Sequence, residues 1–147
     1  MTRVALDSNI LLYAELEPGS QMGKRAIDII VRADRDGVIP AQCLGEFLRV
    51  VQRRRPDVFD AAIKQIQVYR AAFLTPATTD EVIEAAADLS STHGLQVWDA
   101  VICAAAERSG AKALLTEDLQ DGRLLQGMRI LNPFNGANDA AIDALFS

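Results

Sequence analysis

Four carboxylates at widely separated positions each lie beside a boundary in the sequence pattern. Asp7 directly follows the short apolar run 4–6, which predicts a buried strand that ends on an acid. Asp99 opens an apolar helix, Glu46 lies within a helix that follows a second strand, and Asp118 follows a later strand. The carboxyl ends of parallel strands meet at one edge of a sheet, where α/β proteins bind ligands. We therefore expect the four acids to converge there.

Converging carboxylates with no histidine nearby form a site of hard oxygen ligands, which suits Mg²⁺ or Mn²⁺. Such an ion activates water, orients a phosphodiester and stabilises charge on the leaving oxygen. The chemistry indicated is phosphodiester hydrolysis. The single histidine, His93, and the two cysteines, Cys43 and Cys103, have no zinc or catalytic-triad spacing, and both cysteines are predicted to be buried thiols.

Each acid also has a structural interpretation that the residues alone leave open. Asp7 and Asp99 could cap the helices that begin beside them. Glu46 lies opposite the apolar face of its helix, as a solvated side chain would, and Asp118 lies in a loop rich in turn-forming residues. The helix after Asp99 is apolar nearly all round, and a buried charge must be paired or must bind a cation. That favours the metal interpretation.

Each of the four acids lies in a short motif. The motifs are Leu6-Asp7-Ser8-Asn9-Ile10-Leu11, Gly45-Glu46-Phe47, Trp98-Asp99-Ala100 and Leu115-Thr116-Glu117-Asp118-Leu119-Gln120-Asp121-Gly122. Taken in order, they resemble the acid motifs of PIN-domain nucleases, and in particular those of the VapC-like toxins of bacterial toxin–antitoxin pairs. The likeness extends over residues 1–134 and includes Asn132-Pro133 near its end.

The resemblance implies a metal-dependent endoribonuclease toxin, a cognate antitoxin and a homodimer. The implied ligands of Mg²⁺ or Mn²⁺ are Asp7, Glu46, Asp99 and Asp118. The implied hydrogen-bonding partners of these carboxylates are Ser8, Asn9 and Thr116. Glu117, Asp118 and Asp121 share one loop, so the fourth acid is open; Asp118 is the first choice, and Asp121 is next or supports the ligands.

Basic residues follow Glu46 on the same face of its helix. Arg49 and Arg53 come one and two turns later and are candidates for binding the RNA backbone. The alternative is a solvated helix end whose cations favour the helix dipole. The net charge of −5 argues against a general nucleic-acid coat, although a cation bound among the acids would weaken that objection.

The elements that must position these residues are short apolar strands alternating with helices. This alternation predicts a three-layer α/β/α fold with a parallel sheet of about five strands. The predicted strands are 4–6, 38–40, 73–76, 113–116 and 129–132. The resemblance implies the strand order 3-2-1-4-5.

We expect a single domain over residues 1–147, with a core at 1–134 and a short helical tail at 135–147. The uncharged apolar run 100–106 is too short to span a membrane and Asp7 interrupts any signal sequence, so a cytoplasmic protein without a membrane partner is expected. One alternative is an RNA-processing or RNA-decay nuclease without an antitoxin. A receiver-like signalling domain is less favoured, because 73–76 lacks an aspartate and Lys112 precedes its strand.

Overall fold

Helices cover both faces of a mostly parallel sheet in the computed structural model, which describes residues 2–147. The strands within this range are β1 (Val4–Leu6), β2 (Ala113–Leu115), β3 (Leu124–Leu125) and β4 (Met128–Leu131). The helices are α1 (Ser8–Leu16), α2 (Gln21–Ala33), α3 (Ala41–Arg54), α4 (Phe59–Ala72), α5 (Asp80–His93), α6 (Val97–Arg108) and α7 (Asp139–Leu145). Short 3₁₀ turns at Pro56–Val58 and Gly136–Asn138 precede α4 and α7. The α/β fold class predicted from the sequence is confirmed.

The sheet has the order β1-β2-β4-β3, with β1, β2 and β4 parallel and β3 antiparallel to β4. Beyond β1, Val38 forms single parallel bridges to Ala5 and to Leu74. The predicted strands therefore lie in the predicted order 3-2-1-4-5, but two of the five are reduced to bridges. Pro40 explains part of this difference, because it has no N–H to donate and the next residue already begins α3.

The strand β3 is a correction to the sequence prediction, which placed no strand at 124–125. It pairs with β4 through a two-residue turn in which Gln126 has φ +49° and Gly127 has φ +86°. Two positive φ angles are what a tight hairpin with right-handed strand twist requires. Asparagine or aspartate is the usual residue before the glycine, so Gln126 concealed the hairpin signal.

The core surrounds the strands at the centre of the sheet. All residues of β1 and β2 are buried, and so is the run from Ala100 to Ala106 in α6. A helix buried on every side must be apolar on every side, which explains the composition of α6. At another contact, Gly23 in α2 lies against the end of α1, where an added Cβ would stand 1.7 Å from the carbonyl oxygen of Glu17.

The C-terminal segment folds back onto α2. Ile142 of α7 is completely buried, while Arg25 and Arg32 of α2 form ion pairs with Asp139 and Asp143. Among residues 2–147, no helix is both long enough and apolar enough to cross a membrane.

Candidate metal centre

Asp7 lies where β1 ends and is the N-cap residue of α1. Its Oδ1 accepts from the Ser8 backbone N–H at 2.7 Å and its Oδ2 from the Thr116 hydroxyl at 2.8 Å. Only 5% of the residue is exposed. Burial raises the pKa of Asp7 to about 6, although both hydrogen bonds act in the opposite direction. Asp7 is thus both the N-cap of α1 and a member of the acid cluster, so its two alternative interpretations are compatible.

Glu46 is half-buried on α3 and faces the start of α1, which disfavours the alternative of a fully solvated side chain. The Ser8 hydroxyl donates to Oε1 at 3.2 Å, and Gln42 Nε2 donates to Oε2 at 3.2 Å. Ser8 therefore joins the first two acids, since its N–H bonds Asp7 and its hydroxyl bonds Glu46.

Cys43 is a member of the site that the sequence analysis treated only as a buried thiol. Its Sγ lies 3.6 Å from Asp7 Oδ1, and one ligand atom each of Asp7, Cys43 and Glu46 lie within 4.8 Å of one another. Cys43 precedes Glu46 by three residues, a spacing that places both on one side of a helix and was the available signal. Burial raises the pKa of the Cys43 thiol well above its usual value, so the thiol stays protonated and donates to Asp7.

Asp118 is joined to Asp7 through two buried polar side chains. Asn9 Nδ2 donates to Thr116 Oγ1 at 3.0 Å and to Asp118 Oδ2 at 3.1 Å. Thr116 also accepts from the Asp118 backbone N–H at 3.1 Å, while its own hydroxyl donates to Asp7. The predicted supporting residues Ser8, Asn9 and Thr116 all bond acids of the site.

Asp99 is the third residue of α6 and does not cap it. Gln96 is the cap, because its Oε1 accepts from the Asp99 N–H at 3.0 Å. The Asp99 side chain is half-buried, and burial followed by the charge of Asp118 raises its pKa. Gln42, which bonds Glu46, also donates to the Trp98 carbonyl at 3.1 Å and so ties the start of α6 to α3.

The other two acids of the 116–122 loop are engaged elsewhere. Glu117 Oε1 accepts from the Tyr13 hydroxyl at 2.8 Å. Asp121 accepts from three groups of the C-terminal segment, the backbone N–H of Asn132 and the side-chain amides of Asn135 and Asn138. These contacts connect Asp121 to the C-terminal segment, and its predicted role beside the acids stays a prediction.

The acids interact as like charges. Glu46 and Asp118 both raise the pKa of Asp7, and Asp118 raises that of Asp99. A partly buried group of carboxylates is stabilised by a cation among them. Carboxylate oxygens are hard ligands, and the protonated Cys43 adds no thiolate to attract a softer ion. The donor set therefore fits a hard divalent cation.

The two predicted RNA-binding residues lie on the exposed side of α3. Arg49 and Arg53 are both exposed, and no carboxylate within residues 2–147 forms an ion pair with either. Both remain available to an external anion. Arg53 also lies in the last turn of the helix, where a cation favours the dipole.

The fold and the site together define an α/β protein with a cluster of carboxylates at the carboxyl ends of its parallel strands. Asp7 follows β1, Asp118 follows β2, and buried polar side chains connect the two. The profile of the PIN domain family matches residues 4–121, and the chain belongs to this family. No curated protein sequence matches the chain.

Several solved structures share the fold. A toxin–antitoxin complex from Klebsiella pneumoniae is 18% identical with a TM-score of 0.66, over 89% of this chain and 98% of the other. FitAcB from Neisseria gonorrhoeae is 17% identical with a TM-score of 0.65, over 90% and 99%. VapC20 from Mycobacterium tuberculosis, described as a sarcin-ricin-loop-cleaving toxin, is 16% identical with a TM-score of 0.63, over 76% and 86%.

Proposed function

We propose that the protein is a metal-dependent endoribonuclease that acts as the toxin of a toxin–antitoxin pair. Membership of the PIN domain family supports a nuclease, and the descriptions of the similar structures support a toxin with an antitoxin partner. The observation that carries the proposal is the buried carboxylate of Asp7, which Ser8 connects to Glu46 and which Thr116 and Asn9 connect to Asp118.

The proposed ligands are Asp7, Glu46, Asp99 and Asp118, holding Mg²⁺ or Mn²⁺. Bound there, the ion supplies an activated water and stabilises charge on the phosphate and leaving oxygen. The chain's own polar groups keep the ligands aligned. Ser8 fixes Asp7 relative to Glu46, while Thr116 and Asn9 fix Asp7 relative to Asp118.

The proposed substrate is RNA, held beside the acids by Arg49 and Arg53. Both guanidinium groups are exposed on the helix that carries Glu46, which suits contacts to a phosphate backbone. A homodimer and a cytoplasmic location complete the proposal; the two free cysteines, Cys43 and Cys103, are typical of a reducing compartment.

RNA cleavage by the purified protein tests the proposed activity. The wild type should cleave RNA with Mg²⁺ or Mn²⁺ and stop when a chelator is added. Asp7→Asn and Asp99→Asn should remain folded and lose activity, whereas Asp88→Asn, an exposed acid on α5, should cleave normally. Cleavage that persists in chelator, or in both site variants, would contradict the proposal.

The toxin role has a separate test in cells. Expression of the wild type should arrest growth, and expression of Asp99→Asn should not. Co-expression of a small protein encoded beside the toxin should restore growth and form a complex with the wild type. An active nuclease that no neighbouring gene product inhibits would instead fit RNA processing or decay.

A further inference from the structure

A cavity of about 180 Å³ lies beside the acid cluster, and the proposed function does not use it. Residues of α1, the end of α3 and the loop after β2 surround it. The residues that matter here are Asn9, Leu12, Tyr13, Leu16, Arg54 and Glu117.

This cavity, which we term the Tyr13 cavity, shares a wall with the acid cluster. Asn9 lines it, and the same side chain donates to Thr116 Oγ1 and Asp118 Oδ2. Glu117 lines it and is the chain neighbour of Asp118. The cavity therefore lies directly beside Asp118, one of the proposed metal ligands.

The lining suits a flat ring with a polar edge. Leu12 and Leu16 supply apolar surface, and the Tyr13 ring packs edge-on against Phe134 with centroids 5.0 Å apart. This packing fixes the aromatic wall. Two carboxylates, Glu17 and Glu117, also line the cavity, and Arg54 adds a cation that forms no ion pair with a carboxylate of residues 2–147. Small-ligand sites commonly combine apolar walls with a few polar groups in this way.

The polar groups of the cavity favour hydrogen-bond donors in the ligand. Tyr13 donates to Glu117 Oε1, and Oε2 has no hydrogen-bond partner among residues 2–147. Asn9 is 7% exposed, and its Oδ1 is a buried acceptor that also has no partner within that range. An ionised carboxylate only accepts hydrogen bonds. Guanine offers adjacent N–H donors at its Watson–Crick edge, whereas uracil offers one N–H flanked by two carbonyl oxygens.

We propose that the Tyr13 cavity binds a nucleobase next to the scissile phosphate and selects guanine over uracil through Glu117. RNA-binding proteins typically read unpaired bases by such contacts to the Watson–Crick edge. The proposal rests on the nuclease function proposed above. It adds a base preference, which Arg49 and Arg53 would not provide because they are proposed to contact only the phosphate backbone.

Cut-site sequencing tests the selection. The wild type, Glu117→Gln and the matched control Glu84→Gln, an exposed acid on α5, each digest a randomised RNA pool with Mn²⁺, and the bases on both sides of each cut are counted. The wild type and Glu84→Gln should favour guanine over uracil at one of these positions. Glu117→Gln should lower that ratio by roughly tenfold, the scale of one good base contact. Identical base frequencies in the three proteins would overturn the proposal.

Nucleotide binding provides a second measurement that needs no metal or cleavage. The chelator-treated protein is titrated with guanosine monophosphate or uridine monophosphate while the methyl NMR signals of Leu12 and Leu16 are followed. Guanosine monophosphate should shift these signals more than uridine monophosphate in the wild type, and the difference should shrink in Glu117→Gln. Equal responses to both nucleotides in the wild type would overturn the proposal.

The two proposals fail in distinguishable ways. A wild type that cleaves no RNA contradicts the nuclease function, and the nucleotide titration still tests the cavity. A wild type that cleaves RNA without the expected preference contradicts only the selection. If Leu12→Ala abolishes binding of the antitoxin and leaves the base preference unchanged, the cavity belongs to a protein partner and the proposal is overturned.

Discussion

Asp7 performs two tasks with one carboxylate, since it begins α1 and forms the most buried acid of the candidate site. The hydrogen bonds from Ser8 and Thr116 reduce the free-energy penalty of its charge but do not remove it, because burial still raises its pKa to about 6. The local structure therefore holds a charged group in place before any cation arrives.

The first prediction concerns Asp7→Asn in the metal-free protein. Folding raises the Asp7 pKa from 3.8 to about 6, so its contribution to stability is greatest below pH 3.8 and is lost as the pH rises through about 6. At roughly pH 8 the ionised group disfavours the fold by up to about 3 kcal/mol. Asp7→Asn should therefore raise the Tm of the metal-free protein near pH 8 and change it much less near pH 4. Calorimetry at the two pH values measures both effects.

Mg²⁺ should reverse this ranking. Under the proposed function the ion should bind the folded wild type and raise its Tm, whereas Asp7→Asn, which lacks a proposed ligand, should respond weakly. Asp88→Asn is the control, because this exposed acid lies on α5 and should follow the wild type throughout. If the metal-free Asp7→Asn protein has a lower Tm than the wild type near pH 8, the charge of Asp7 does not destabilise the fold.

The second prediction concerns Thr116→Val, which keeps the shape of a fully buried side chain and removes its hydroxyl. The hydroxyl donates to Asp7 and accepts from Asn9 and from the Asp118 N–H. Losing this junction should weaken Mn²⁺ binding roughly 10- to 100-fold. Titration calorimetry measures the affinity, with Thr92→Val, an exposed threonine on α5, as the control. Unchanged affinity would mean that the ligands align without Thr116.

At the scale of residues, the position of an acid directly after a strand could be predicted from the sequence, whereas contacts between distant elements could not. Asp7 and its link to Thr116 follow from β1 and β2 being neighbours. The burial of Glu46 by Ser8 and the proximity of Cys43 depend on how α3 packs against α1, which periodicity does not specify. The alternative that Asp99 caps α6 is wrong, because Gln96 is the cap; the local sequence did not indicate this, since glutamine is not a typical N-cap.

At the scale of elements, two helical glycines have opposite expected responses to alanine. Gly23→Ala would place a Cβ 1.7 Å from the Glu17 carbonyl and should destabilise the fold by about 1–3 kcal/mol, because α2 must move away from the end of α1. Gly45→Ala in α3 meets no atom within 4 Å and should stabilise by about 0.5–1 kcal/mol, because alanine is the better helix former. Urea denaturation measures both. Equal effects would contradict the close contact.

The type and order of the secondary-structure elements could be predicted from the sequence, but the lengths of the strands could not. The strands β1 and β2 are apolar and bounded by turn residues, so the local sequence pattern is enough to predict them. Val38 and Leu74 pair through only single bridges, because Pro40 and the start of α3 end the strand early. The hairpin of β3 and β4 was missed, since its turn is built on Gln126 and only Gly127 has the usual identity.

At the scale of the whole molecule, the C-terminal helix should be held by packing more than by charge. Ile142 is fully buried, so Ile142→Ala should cost about 2–5 kcal/mol of unfolding free energy. Asp143 forms an ion pair with Arg32 at 2.9 Å, yet its side chain is 63% exposed, so Asp143→Ala should cost less than about 1 kcal/mol. Chemical denaturation of the two variants compares them. A larger loss for Asp143→Ala would reverse this assignment.

The edge strands on both sides of the sheet are very short. One margin is the single bridge at Leu74, and the other is the two-residue β3. Unpaired strand edges are the usual templates for strand-by-strand association between chains, and short ones offer few backbone groups to recruit. Within residues 2–147, the sheet thus gives neither another copy nor a partner a long edge to extend. Short edges favour association through helix faces and loops, so we expect that concentrated solutions of the folded protein do not form fibrils through its native sheet.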